Sequence, residues 1–175
     1  MAETPAFPGR GRNATTTVIV VRHAEKATGQ GDDPHLSDAG ERRAEALAHA
    51  LENSGVSAVI TTQWKRTAET ALPTARESGA TSEVVPVVWD SVASNAAHIA
   101  AAVRRHPGEI ILVVGHSNTV PDIVAALGVE RPAEICDSEY DRMEIVSMEA
   151  GGNARLIEAR YGAPTVAGQG CASMK

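Results

Sequence analysis

Two histidines each follow closely on a short apolar run that is rich in β-branched residues. Residues 16–21 (TTVIVV) lead directly into Arg22 and His23, and residues 110–114 (IILVV) end two positions before His116. Such runs are typical of strands that are buried on both faces of a parallel sheet. Ligands bind beyond the carboxyl ends of these strands, so both imidazoles are predicted at that edge. Together with the neighbouring arginine, they indicate a site that handles phosphate.

The chemistry of such a site follows from its residue types. The unperturbed pKa of imidazole is about 6.5, so a neutral His23 can attack phosphorus and form a phosphohistidine. Arg22 and Arg66 are predicted to bind the phosphoryl oxygens through their planar, bidentate guanidinium groups. His116 is predicted as a further donor that stabilises charge on these oxygens. No paired metal-ligand spacing accompanies the histidines, and we expect no metal.

Strand-like and helical segments alternate along the chain. Capping residues, 3.6-residue periodicity and glycines predict four helices, at 38–53, 64–78 (interrupted near Pro73), 94–105 and from Asn118 or Thr119 to 128. Besides the two runs already named, strands are predicted at 56–61 and 83–88, and a hairpin at 142–148 and 154–161. This order predicts an α/β fold, a three-layer α/β/α sandwich whose mostly parallel sheet carries antiparallel edge strands.

Three motifs occur in the order found in the histidine phosphatase superfamily. Residues 21–25 (VRHAE) resemble its Arg-His-Gly-Glu signature, with Ala24 in place of glycine. Residues 61–71 (TTQWKRTAETA) resemble its second motif, a strand end followed by a helix that carries an arginine, and residues 115–118 (GHSN) resemble its third. The resemblance implies a phosphoglycerate mutase-like fold and a compact single-domain member. It also implies a hydrolase that works without a metal or an organic cofactor.

The general acid is assigned by the same resemblance. Many members of the superfamily carry an acidic residue just after the third strand, and Asp90 is the best positional match here. Glu25, two residues after the predicted nucleophile, is the second candidate. Without an efficient acid, the enzyme would favour good leaving groups, as in acyl phosphates, phosphoramidates or aryl phosphates.

The predicted function is hydrolysis of phosphomonoesters or phosphoramidates through a phosphohistidine intermediate. Three alternatives are phosphoryl transfer of the phosphoglycerate mutase type, a protein-phosphohistidine phosphatase, and a non-catalytic phosphate-binding module. The expected partner is a phosphorylated small molecule or a phosphoprotein. The net charge of −6 argues against a nucleic-acid or anionic-membrane surface.

The remaining expectations concern the ends and loops of the chain. Residues 1–13 are predicted to be a flexible lead-in before a domain at 14–175, without the apolar core of a signal peptide. The chain as written is therefore expected in the cytoplasm, or outside the cell if a signal was removed. Cys136 and Cys171 are expected to be unpaired thiols, with one bridge between them as the alternative. The acidic loop 137–141 is expected to be solvated, or else to border the pocket.

Overall fold

A single mixed sheet with helices on both faces forms the structure. The computed structural model describes residues 14–88, 91–166 and 168. Its elements, in chain order, are β1 (Thr16–Arg22), α1 (Asp38–Leu51), β2 (Ala58–Thr61), α2 (Lys65–Ser78), β3 (Thr81–Val84), α3 (Val92–Val103), β4 (Ile110–Gly115), α4 (Val120–Ala126), β5 (Arg142–Met148) and β6 (Ala154–Arg160). None of the helices in these ranges is long and apolar enough to cross a membrane.

The strands lie in the order β3-β2-β4-β1-β5-β6. The first four strands of the chain are parallel, and the β5–β6 hairpin adds two antiparallel strands at one edge. Alternate residues of β1 face opposite layers: Val18 and Val20 pack with residues of α3 and α4, whereas Ile19 and Val21 pack with residues of α1 and α2. The predicted three-layer sandwich with an antiparallel edge is therefore confirmed.

Several predicted boundaries differ from the structure, and proline and capping explain them. The third strand is predicted at 83–88 but ends at Val84, because Pro86 lacks the N–H that a longer ladder would need. Helix α3 begins at Val92 because the Ser91 hydroxyl caps it by accepting from the N–H of Ser94. The expected interruption near Pro73 is wrong, since α2 runs through this residue to Ser78.

A close approach of α1 to the chain after β1 positions the site. The Ser37 hydroxyl caps α1 by accepting from the N–H of Gly40. A Cβ atom on Gly40 would lie 2.2 Å from the carbonyl oxygen of Glu25, a distance that no side chain tolerates. Glycine at this position thus lets the helix pack directly against the backbone two residues beyond His23.

Cys136 is disulfide-bonded, so the expectation of two unpaired thiols is wrong. Cys171 and Asp90 lie outside the residues that the structure describes.

Candidate active site

The two strand-end histidines meet because β1 and β4 are neighbouring parallel strands. Their ladder pairs Arg22 with Gly115, and the N–H of His23 donates to the carbonyl oxygen of Gly115 over 2.9 Å. The imidazole rings of His23 and His116 lie edge to face, with their centroids 5.3 Å apart. The structure thus brings both residues to one point at the carboxyl edge of the sheet.

His23 is held in one tautomer. Its Nδ1 lies 2.8 Å from the carbonyl oxygen of Ala24, which can only accept, so the ring proton is on Nδ1 and Nε2 carries the lone pair. Burial lowers the pKa of His23 to about 2, and the charges of His116, Arg22 and Arg66 act in the same direction. The ring is therefore neutral at physiological pH, as a nucleophile must be.

His116 is fixed by a chain of hydroxyl groups. Its Nε2 lies 3.1 Å from Oγ1 of Thr62, which in turn lies 3.0 Å from Oγ1 of Thr67. The backbone N–H of His116 donates to Oγ1 of Thr119 over 3.0 Å. Burial, followed by the charge of Arg66, lowers the pKa of His116 to about 4. Thr62 therefore engages Nε2 and leaves Nδ1 for other contacts.

Arg66, in the first turn of α2, has unused donors. The residue is only 8 % exposed, yet its buried Nε and Nη1 have no hydrogen-bond partner. Nη1 lies 3.9 Å from Oδ1 of Asp33, and the guanidinium lies 4.8 Å from the ring centre of Trp64. Buried donors are rarely left unsatisfied in proteins, so this arrangement favours an anionic ligand.

Arg22 binds the loop that precedes β5, at residues 136–139, and holds it beside the site. Its Nη1 donates to the carbonyl oxygens of Cys136, Asp137 and Glu139 over 2.8–3.0 Å. Its guanidinium stacks on the ring of Tyr140, 4.0 Å from the ring centre. The sequence indicates only a phosphate-binding role for Arg22, so this structural function went unrecognised.

Both histidines and both arginines line the same cavity. Its volume is about 220 Å³, and Arg22, His23, Arg66 and His116 all line it. Larger depressions, of about 570 and 640 Å³, contain none of the four residues, and we place the chemistry in the smaller one. Within the described ranges, no group of three or more His, Cys, Asp or Glu residues is arranged to hold a metal ion.

Solved structures with this fold include phosphatases. The protein histidine phosphatase SixA complexed with tungstate shares 18% identity, with a TM-score of 0.63 and coverage of 82% of this chain and 96% of that one. The native mycobacterial glucosyl-3-phosphoglycerate phosphatase shares 14%, with a TM-score of 0.64 and coverage of 86% and 100%. YhfR of Bacillus stearothermophilus shares 19%, with a TM-score of 0.61 and coverage of 81% and 95%. At these identities, the likeness establishes the fold alone.

The sequence comparison is more specific. The sequence pattern of the histidine phosphatase superfamily (branch 1) matches residues 18–91, which contain Arg22, His23 and Arg66. The first half of the described chain thus carries the sequence pattern of the histidine phosphatase superfamily. No protein with a curated function matches it in sequence.

Glu25, the second candidate for the general acid, does not line the cavity. Both of its carboxylate oxygens accept from Nε of Arg43 over 2.9 Å, and Oε1 also accepts from Nη2 over 2.8 Å. Arg43 is 5 % exposed, and its Nη1 donates to the carbonyl oxygen of Tyr161. The structure thus gives Glu25 a role in joining α1 and the residue after β6 to the segment after β1.

The acidic loop before β5 is not simply solvated, contrary to the main expectation. Glu139 and Asp141 are buried: Oε2 of Glu139 accepts from the N–H of Cys136, and the Asp141 carboxylate accepts from Arg160 and Thr165. Asp137 instead lines the cavity, which agrees with the alternative that this loop borders the pocket.

Sequence reasoning assigned no role to Thr62. The residue lies inside the second motif, four positions before Arg66, so that motif held a signal for it.

Proposed function

We propose that this chain is a phosphatase that hydrolyses phosphomonoesters or phosphoramidates through a phosphohistidine on His23. One observation carries the proposal: a buried, neutral His23 with a free lone pair lines the same cavity as the unused donors of Arg66. A nucleophile and an anion-binding group side by side are what transfer of a phosphoryl group requires. The match of residues 18–91 to the superfamily's sequence pattern, and phosphatases among the structures with this fold, support it.

The reaction has two balanced steps. First, Nε2 of His23 attacks phosphorus, the bond from phosphorus to the leaving oxygen or nitrogen breaks, and an acid protonates the leaving group. Second, water attacks phosphorus, the N–P bond breaks, and His23 is restored as inorganic phosphate departs. Arg22, Arg66 and His116 stabilise charge on the phosphoryl oxygens in both steps.

Asp90 is proposed as the acid of the first step and as the base of the second. Its position after β3 supports this role, as does the engagement of Glu25 by Arg43. Asp137 lines the cavity and is the alternative.

The first test is hydrolysis of 4-nitrophenyl phosphate in the presence of EDTA. Wild type is expected to be active and His23→Ala inactive, whereas His98→Ala, a change at an exposed histidine of α3, retains full activity. Activity that survives in His23→Ala would overturn the proposal. Wild type that binds tungstate but hydrolyses no phosphate ester would instead establish a phosphate-binding module.

A further inference from the structure

One side of the active-site cavity is apolar. Trp64, Val87, Val88 and Val92 line it together with the phosphate-binding groups. Val88 is 49 % exposed and Val92 is 36 % exposed, although large apolar side chains are normally buried. The lining also includes polar residues, among them Lys26 and Asp137.

Two side-chain amides hold the apolar segment in place. The Gln63 amide donates to the carbonyl oxygen of Val87 and accepts from its N–H, both over 2.9 Å. The Asn95 amide engages Val88 in the same way, over 2.6 and 2.9 Å. These paired bonds replace the ladder that ends at Val84, so the valine side chains stand in fixed positions beside the cavity.

The same bonds make this side a poor surface for polar groups. Both ends of the Gln63 and Asn95 amides are engaged by backbone, and the neighbouring side chains of Val87, Val88 and Val92 offer neither donor nor acceptor. A hydroxyl or a charge placed against them would lose water without gaining a partner. An apolar group would instead remove exposed valine surface from water.

We propose that the apolar wall formed by Trp64, Val87, Val88 and Val92 binds the leaving group. The substrates would be phosphate monoesters whose leaving group carries an uncharged, apolar part. The inference rests on the proposed phosphatase function and names its substrate class. The cavity of about 220 Å³ is below the range of about 300–1,000 Å³ for drug-sized ligands, so it fits a small substrate, with the phosphate at His23 and Arg66 and the apolar part against Val88 and Val92.

The test uses two substrates of the same shape, 4-propylphenyl phosphate and 4-(2-hydroxyethyl)phenyl phosphate. They differ only by a terminal methyl or hydroxyl group, remote from the ester bond, so that their phenols leave with similar ease. We expect kcat/KM to be about tenfold higher for the propyl compound, which is the scale of discrimination that an apolar pocket achieves.

Matched variants test whether the apolar wall causes the difference in kcat/KM between the two substrates. Val88→Ser is expected to lower the ratio of the two kcat/KM values to about threefold. Val84→Ser changes another exposed valine, on β3 and 56 % exposed, that does not line the cavity, and it leaves the ratio unchanged. The Val88 backbone bonds to Asn95 persist in Val88→Ser, and equal thermal unfolding of the two variants verifies this.

Two results would overturn the inference. Equal kcat/KM for both substrates in wild type, or an unchanged ratio in Val88→Ser, would remove the wall from substrate recognition while leaving the phosphatase function intact. Failure of wild type to hydrolyse these substrates and 4-nitrophenyl phosphate alike would instead overturn the proposed function, and this inference with it.

Discussion

The hydroxyl of Thr62 lies 3.1 Å from Nε2 of His116. The Thr62 hydroxyl donates to Nε2 when the ring proton is on Nδ1 and accepts from it when the proton is on Nε2, and either bond fixes the ring. The hydroxyl of Thr67 closes the chain, 3.0 Å from that of Thr62 and 2.8 Å from the carbonyl oxygen of Trp64. A side chain outside the cavity lining therefore orients one of the proposed phosphate donors.

Thr62→Val keeps the shape of the side chain and removes this hydroxyl. We expect kcat on 4-nitrophenyl phosphate to fall about tenfold, because His116 loses the partner that orients its ring. Thr74→Val is the control, since the Thr74 hydroxyl is buried on α2 without a hydrogen-bond partner. Unchanged kcat in Thr62→Val, measured at saturating substrate, would contradict the positioning role.

The two buried histidines make stability depend on pH. Burial lowers the pKa of His23 to about 2 and of His116 to about 4, so both stay neutral in the folded protein as pH falls below about 6.5, where they become charged in the unfolded chain. Their contribution to stability is thus complete above pH 6.5 and is progressively lost below it. Each should lower the free energy of unfolding by about 2 kcal/mol between pH 6.5 and pH 5.

Urea unfolding at both pH values measures this loss. His116→Gln removes one titrating group and should lose about 2 kcal/mol less than wild type over the same interval. His98→Gln, at an exposed site, should follow wild type. Identical losses in wild type and His116→Gln would refute the assignment.

Glu25 is expected to matter for stability and not for proton transfer. Glu25→Gln removes the charge that pairs with buried Arg43 and should lower the free energy of unfolding by about 2 kcal/mol, below the range for fully buried pairs because the Glu25 side chain is 22 % exposed. Its kcat on phenyl phosphate should stay within about twofold of wild type. Glu45→Gln, at an exposed position of α1, serves as the control for stability. A kcat that drops only for poor leaving groups would return Glu25 to the role of acid.

Asp90 and Asp137 are distinguished by the leaving group. We expect Asp90→Asn to lower kcat/KM, which reports formation of the phosphohistidine, about 100-fold on phenyl phosphate, with little effect on 4-nitrophenyl phosphate, whose leaving group needs no proton. Asp137→Asn keeps the carbonyl that binds Arg22 and should affect both substrates equally. If Asp137→Asn shows the selective loss instead, the acid is Asp137.

The architecture was predictable because its signals are local. The uncharged runs of β1 and β4 and the Ser37 cap each show in a few adjacent residues. The end of β3 was harder to place, since an exposed edge strand has a weak apolar pattern and its continuation, Val87 and Val88, is held by amides from other elements.

The partners of charged residues were not predictable for a related reason. Glu25 pairs with Arg43 on the far side of a loop, and Asp141 accepts from Thr165 beyond the hairpin. Arg22 donates to the carbonyl oxygen of Glu139, which lies more than 100 positions later in the sequence. Such contacts depend on how the elements pack, so the spacing of residues in the sequence does not predict them.

The β1–β4 ladder also bears on when the site appears during synthesis. His23 emerges early, but its partner strand is the last of the parallel set, so a nascent chain has no complete phosphate site until β4 has joined the sheet. Such pairing across long sequence separation is slow to form. A bound oxyanion would therefore stabilise the finished protein chiefly by slowing its unfolding, without speeding its folding.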